Sequence, residues 1–149
     1  MSETLLQLAH KVRKNSYSPY SHCKVGAALR TKSGNVYVGC NVENSSFGAT
    51  VCAERGAIQN AVSHEGKIEI VELAVVSDAS PAWMPCGLCR QVLSEFGKDF
   101  PITASNLNGE TVLTNFAKLY PSSFSADEMA AVNAAVNAQL DSVSKKPNA

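Results

Sequence analysis

The stretch Ile68 to Val76 constrains this chain most. It follows Gly66, precedes a loop carrying Pro81 and Pro85, and is apolar enough to read as a strand covered on both faces. A strand of that kind needs helices above and below it. The flanking sequence supplies them: a helical pattern runs from Cys52 to about Val62, and a second from Cys86 to about Phe96. Thr50 is positioned to cap the first. Upstream, Val25–Leu29 and Val36–Cys40 flank Lys32-Ser33-Gly34-Asn35, a hairpin signal. The N-terminus presents Leu5, Leu6, Leu8, Ala9 and Val12 on one helical face, with Ser2 as the expected cap. Ile102–Ala104 and Thr111–Leu113, around Asn108-Gly109, read as further strands. After Pro121 a last helix is expected from about Ala126 to Val143, capped by Ser125 and followed by a frayed tail, Lys145 to Ala149. Strands alternating with helices imply a layered α/β domain with a mixed sheet.

Composition narrows what such a domain does. A chain of 149 residues, 45% apolar and 17% charged, is globular in composition. At that length roughly 70% of the unfolded surface is buried, so no staple is needed. Thirteen basic residues balance thirteen acidic ones, which leaves no field to gather the phosphates of a nucleic acid. No apolar run approaches the ~20 residues of a membrane span, and Met1-Ser2-Glu3-Thr4 lacks the start of a secretory signal. A cytoplasmic protein that binds neither membrane nor nucleic acid is expected.

Five cysteines, at 23, 40, 52, 86 and 89, suit metal ligation, nucleophilic chemistry or packing in a reducing compartment. Cys52 opens one expected helix. Pro85-Cys86-Gly87-Leu88-Cys89 opens another, with Cys86 and Cys89 on one face. The positive end of a helix favours thiolate over thiol. Three thiolates from two helix starts suit zinc with a fourth position open to water. Glu54, two residues past Cys52, is placed to move a proton between that water and a substrate without binding the metal. Arg55 is the nearest cation that could balance the charge of three thiolates. Two other readings stand beside this one. A closed structural site would take Cys23, Cys40, His22 or His64 as fourth ligand, and Cys-x-x-Cys by itself also fits a thioredoxin-like dithiol. Otherwise Cys23 and Cys40 read as packing residues, and His10, His22 and His64 as surface or loop residues. The segment Asn41-Val42-Glu43 ends a strand, and alternation would put Asn41 and Glu43 on one face with Val42 turned inward.

Cys-Ala-Glu-Arg followed by Pro-Cys-x-x-Cys resembles the zinc nucleoside deaminase signature, in the form where cysteine replaces the histidine ligand. Ser18-Pro19-Tyr20-Ser21, Val25-Gly26-Ala27-Ala28, Gly39-Cys40-Asn41-Val42-Glu43-Asn44, Cys89-Arg90-Gln91-Val92 and Leu119-Tyr120-Pro121-Ser122-Ser123-Phe124 extend it. Their order resembles that of the small homotetrameric cytidine deaminases, over about residues 5 to 125. The resemblance implies a three-layer α/β/α fold with a five-stranded mixed sheet. It also implies hydrolytic deamination of free cytidine and deoxycytidine, and one zinc per subunit on Cys52, Cys86 and Cys89. Glu54 becomes the proton shuttle, Asn41 and Glu43 hold the ribose, and the backbone at Ala53 and Met84 contacts the base. Phe124 would cover the pyrimidine bound in another subunit of a homotetramer. Residues 1–125 are then the catalytic domain and 126–149 a helical extension outside the resemblance. The family often has phenylalanine where this chain has Cys23, and tyrosine where it has Phe47. Within the superfamily a nucleic-acid editor or an antibiotic deaminase is the alternative; outside it, a structural-zinc or dithiol redox protein.

Overall fold

The computed structural model describes residues 3–144, with side chains through residue 140. Five strands, β1 (Val25–Thr31), β2 (Val36–Cys40), β3 (Ile70–Ser77), β4 (Pro101–Asn106) and β5 (Thr111–Asn115), form one sheet in the order β2-β1-β3-β4-β5. Only β3 and β4 run parallel; the other neighbours are antiparallel. Strand β3 is central, as its apolar run requires. Leu73 and Val75 face one side of it, Ala74 and Val76 the other, and all four are buried. Helix α1 (Leu5–Arg13) covers the Ala74 side through Leu5 and Ala9. Helices α2 (Ala53–Glu65) and α3 (Gly87–Ser94) cover the other with Ile58 and Leu93, so the sheet lies between helical layers. No helix among the described residues is long and apolar enough to cross a membrane.

Element boundaries differ from the sequence expectation where capping decides them. Ser2 lies outside the described residues; Thr4 caps α1, accepting from Gln7 N at 3.2 Å while Gln7 Oε1 accepts from Thr4 N at 2.8 Å. Thr50 does not cap α2. Cys52 does, with extended dihedrals and no hydrogen bond from its side chain to the helix, and Cys86 stands in the same way before α3. Both helices therefore begin one residue after their cysteines. A four-residue helix α4 (Phe116–Leu119), too short to show periodicity, is capped by Asn115, whose Oδ1 accepts from Lys118 N at 3.2 Å. Helix α5 (Ala126–Ser144) starts at Ser125 as expected, with a reciprocal Ser125–Glu128 capping box. Its side chains through residue 140 are exposed, including Met129, Val132, Val136 and Leu140. The expected tail, Lys145–Ala149, lies outside the described residues.

Strand register brings three chain ends together. Gly26 pairs with Cys40, and Val25 pairs with Ser77, so β1 starts where β2 and β3 finish. The segments leading into α2 and α3 leave the sheet at that end. Two glycines let the helices sit close on opposite faces. A Cβ on Gly26 would lie 2.1 Å from Ala9 O of α1, and one on Gly39 would lie 2.2 Å from Ala57 N of α2. The obstacle in each case is backbone, which cannot rotate away. Gly56, inside α2, is different: its nearest neighbour would be Cys40 O at 3.4 Å, an ordinary contact. Gly39→Ala should thus cost at least ~1–3 kcal/mol, the usual penalty of overpacking. Gly56→Ala should be neutral or stabilise by up to ~1 kcal/mol through helix propensity. Urea unfolding of the two variants checks this; equal midpoints would contradict the close-approach argument.

Candidate active site

Two helix N-termini, of α2 and α3, meet at the sheet end described above. Each is capped by a cysteine whose sulfur is not used for capping. Those sulfurs, Cys52 Sγ and Cys86 Sγ, are 3.8 Å apart. Cys89, in the first turn of α3, completes a cluster whose three sulfur atoms all lie within 4.8 Å of one another. Tetrahedral zinc with bonds of about 2.3 Å sets its sulfurs about 3.8 Å apart. The cluster fits that ion. Neither Cys23, Cys40, His22 nor His64 joins it among the described residues, so the sulfurs lack the fourth protein ligand of a closed site. His64 instead makes a 2.8 Å contact from Nδ1 to Asn60 O. Burial pushes the Cys23 and Cys40 thiols up.

Within the cluster, Cys52 differs from those two. The Cys89 thiol donating to it, with Arg55 and Cys86 adding to the effect, draws Cys52 down to about 5. Cys89 is raised in turn by that hydrogen bond and by burial. Cys52 is thus the sulfur most disposed to the thiolate form, and a bound cation would favour that form in its ligands. Arg55 Nη2 lies 3.7 Å from Cys52 Sγ and donates to Thr50 O at 2.6 Å. The guanidinium is thus fixed beside the sulfur whose charge it offsets.

A cavity of about 230 Å³ opens beside the cluster. Asn41, Glu43, Cys52, Ala53, Glu54, Met84 and Cys86 all line it. Glu54 is 5% exposed, and burial lifts its carboxyl to about 7. A carboxyl in that range can take and return a proton near neutrality. Asn41 and Glu43 share that lining. The side chain of Asn41 is held on three sides: Oδ1 accepts from Ser16 Oγ and from Val25 N (2.8 Å), and Nδ2 donates to Cys23 O (2.9 Å). Glu43 accepts from Tyr20 N (2.9 Å), Ser21 N (3.2 Å) and Ser21 Oγ, and the Ser21 hydroxyl first of all holds its carboxyl below the usual range. Val42 is exposed rather than turned inward, because it bridges the backbone of Tyr17 and Val51 at the surface. Phe124 does not line its own chain's cavity and is 54% exposed. Cys23, read as a packing residue, also lines the cavity, as do Ser21 and Trp83, to which the residue-level reading gave no role. A tryptophan in a proline-rich loop just before Pro-Cys-x-x-Cys was the available signal for the last.

Comparison with known proteins decides the family. Residues 1–104 match the family described as cytidine and deoxycytidylate deaminase zinc-binding region. The chain belongs to that family. A cytidine deaminase of Sporosarcina psychrophila is 44% identical over 128 residues, 85% of this chain and 93% of its own. A probable cytidine deaminase of Dictyostelium discoideum is 40% identical over 130 residues, 87% of each chain. The crystal structure of cytidine deaminase from Burkholderia pseudomallei superposes with a TM-score of 0.76 at 39% identity, covering 80% of this chain and 96% of that one. The matching family region is a zinc-binding one, and the three-sulfur cluster is where this member can hold the ion.

Single alanine replacements of Cys52, Cys86 or Cys89 should abolish stoichiometric zinc, whereas replacements of Cys23 or Cys40 should retain it. Elemental analysis of the purified variants checks this. Loss of zinc from Cys40→Ala would point to a closed four-cysteine site instead.

Proposed function

We propose that this protein deaminates free cytidine and 2′-deoxycytidine hydrolytically, giving uridine or 2′-deoxyuridine and ammonia. The observation that carries the reading is a buried Glu54 lining the same cavity as a three-cysteine cluster. Zinc held by Cys52, Cys86 and Cys89 supplies Lewis acidity that makes water a nucleophile near neutral pH. Glu54 takes the proton of the attacking water and passes it to N3 of the pyrimidine as C4 becomes tetrahedral; it then moves the proton of the new C4 hydroxyl to the amino group, so that C4=O forms as the C4–N bond breaks and ammonia leaves. Arg55 offsets the charge of the sulfurs. Backbone at Ala53 and Met84 orients the base.

Hydrogen-bond capacity supports a sugar beside Asn41 and Glu43. Asn41 has one amide N–H left after its three contacts, and Glu43 retains accepting lone pairs. A hydroxyl donates and accepts, so one ribose hydroxyl satisfies both residues. The 3′-hydroxyl, common to cytidine and deoxycytidine, is the reading we adopt. A phosphate would bring negative charge toward Glu43, so free nucleosides are preferred to nucleotides.

We further read residues 1–125 as the catalytic domain and 126–149 as an appended helix with its tail. The functional unit is a homotetramer in which Phe124 of one subunit covers the base bound in another. The half-exposed position of Phe124, away from its own cavity, supports this. A cytoplasmic location suits five unpaired cysteines.

Two measurements test the chemistry and the recognition separately. Glu54→Gln should lower kcat by at least ~10²–10⁴ with zinc retained, the usual worth of a general acid–base. Near-normal turnover would remove Glu54 from the mechanism. With the wild type, 3′-deoxycytidine should lose roughly 10⁴ in kcat/KM relative to cytidine, because the hydrogen-bonding pair of buried Asn41 and partly buried Glu43 is left unmatched. Equal efficiency would rule out the ribose assignment.

A further inference from the structure

The cavity has one aromatic wall, and it is Trp83. Cys23, Val25 and Val75, which also line it, are small and carry no flat surface. Trp83 lies on the segment between β3 and α3, directly before Met84 and three residues before Cys86. It lines the cavity together with Cys52 and Cys86. Its backbone N–H donates to Ser77 Oγ at 3.4 Å, and Ser77 is wholly buried at the end of β3, which anchors this part of the loop to the sheet. The side chain is nonetheless 51% exposed. An indole that lines a cavity yet keeps half its surface in water has apolar area to lose when a ligand arrives.

We infer that Trp83 is a substrate-binding residue, supplied by the same subunit as the metal, that packs against the planar pyrimidine ring and holds it at the cysteine cluster. The inference rests on the functional reading above and extends it, because neither the zinc-binding cysteines nor Glu54, Asn41 or Glu43 offers a flat apolar face. A planar ring needs one to be held against displacement while its edge reacts. Aromatic stacking serves any planar base, so Trp83 contributes to affinity for the ring, while the choice of hydroxyls is left to Asn41 and Glu43. It adds nothing to proton transfer.

Trp83 is the only tryptophan in the chain, so intrinsic fluorescence reads it without background. Uridine, the product and so not consumed, is the probe for wild-type holoenzyme. Uridine should change the indole emission saturably, with a half-saturation equal to its inhibition constant against cytidine. Trp83→Ala should raise KM for cytidine about 5- to 150-fold, the range expected for losing one stacked aromatic, with kcat little changed. Trp83→Phe should recover most of the loss. Zinc content and melting temperature of the variants identify any that misfold, and in that event the wild-type titration and Trp83→Phe decide. Emission that stays constant at fully inhibitory uridine, or an unchanged KM in Trp83→Ala, overturns the role of Trp83 and leaves the deaminase reading intact. A protein that neither converts cytidine nor is inhibited by uridine overturns both.

Discussion

Three thiols within 4.8 Å of one another, at the positive ends of two helices, are the constraint on which the rest of this molecule depends. Bringing that many ionisable sulfurs together costs free energy unless something compensates for their charge. The fold supplies the N-terminal N–H groups of α2 and α3, the fixed guanidinium of Arg55, and a sulfur spacing that suits a tetrahedral cation. The cysteines serve as N-caps in position only. A serine or aspartate there would satisfy the helix with its side chain; these sulfurs leave the helices without that bond and turn to the cluster instead.

Sheet architecture explains why the helix ends meet. β1 begins where β2 and β3 end, so the entry to α2 and the entry to α3 are neighbours although they are remote in sequence. Asn41 joins this frame to the cavity. It bonds the first residue of β1 and the carbonyl of Cys23 while one N–H remains, so the residue proposed above to hold the sugar also helps set the cavity's shape. On the other face of the sheet, an ion pair between buried Arg13 and the more exposed Asp78 ties the end of α1 to the start of the loop that carries Trp83. Asp78 Oδ2 also accepts from Lys24 N at 3.0 Å. The loop is thus held at its first residue by α1 and by the segment entering β1.

Much of this was legible in the sequence, for identifiable reasons. The Lys32–Asn35 turn between apolar runs, the central run of β3 and the Cys-x-x-Cys spacing are local patterns, and each declares itself without tertiary information. The resemblance added the sheet count. What escaped was set by contacts between distant segments. Thr50 is a better side-chain cap than Cys52 on intrinsic grounds, and only the metal cluster explains why the cysteine holds that place. The pairing of Arg13 with Asp78 joins residues 65 apart and leaves no local trace. Val42 was misplaced because strand alternation was carried past the end of β2, where bridges to Tyr17 and Val51 take over. Trp83 belongs to a loop without periodicity, where no pattern says which way a side chain faces.

The central claim is an open, three-sulfur zinc site. X-ray absorption at the zinc edge of the purified protein tests it most directly, since scattering distinguishes sulfur from oxygen neighbours. Three sulfurs at about 2.3 Å and one oxygen at about 2.0 Å are predicted. Four sulfurs, or a preparation fully active without zinc, would contradict it.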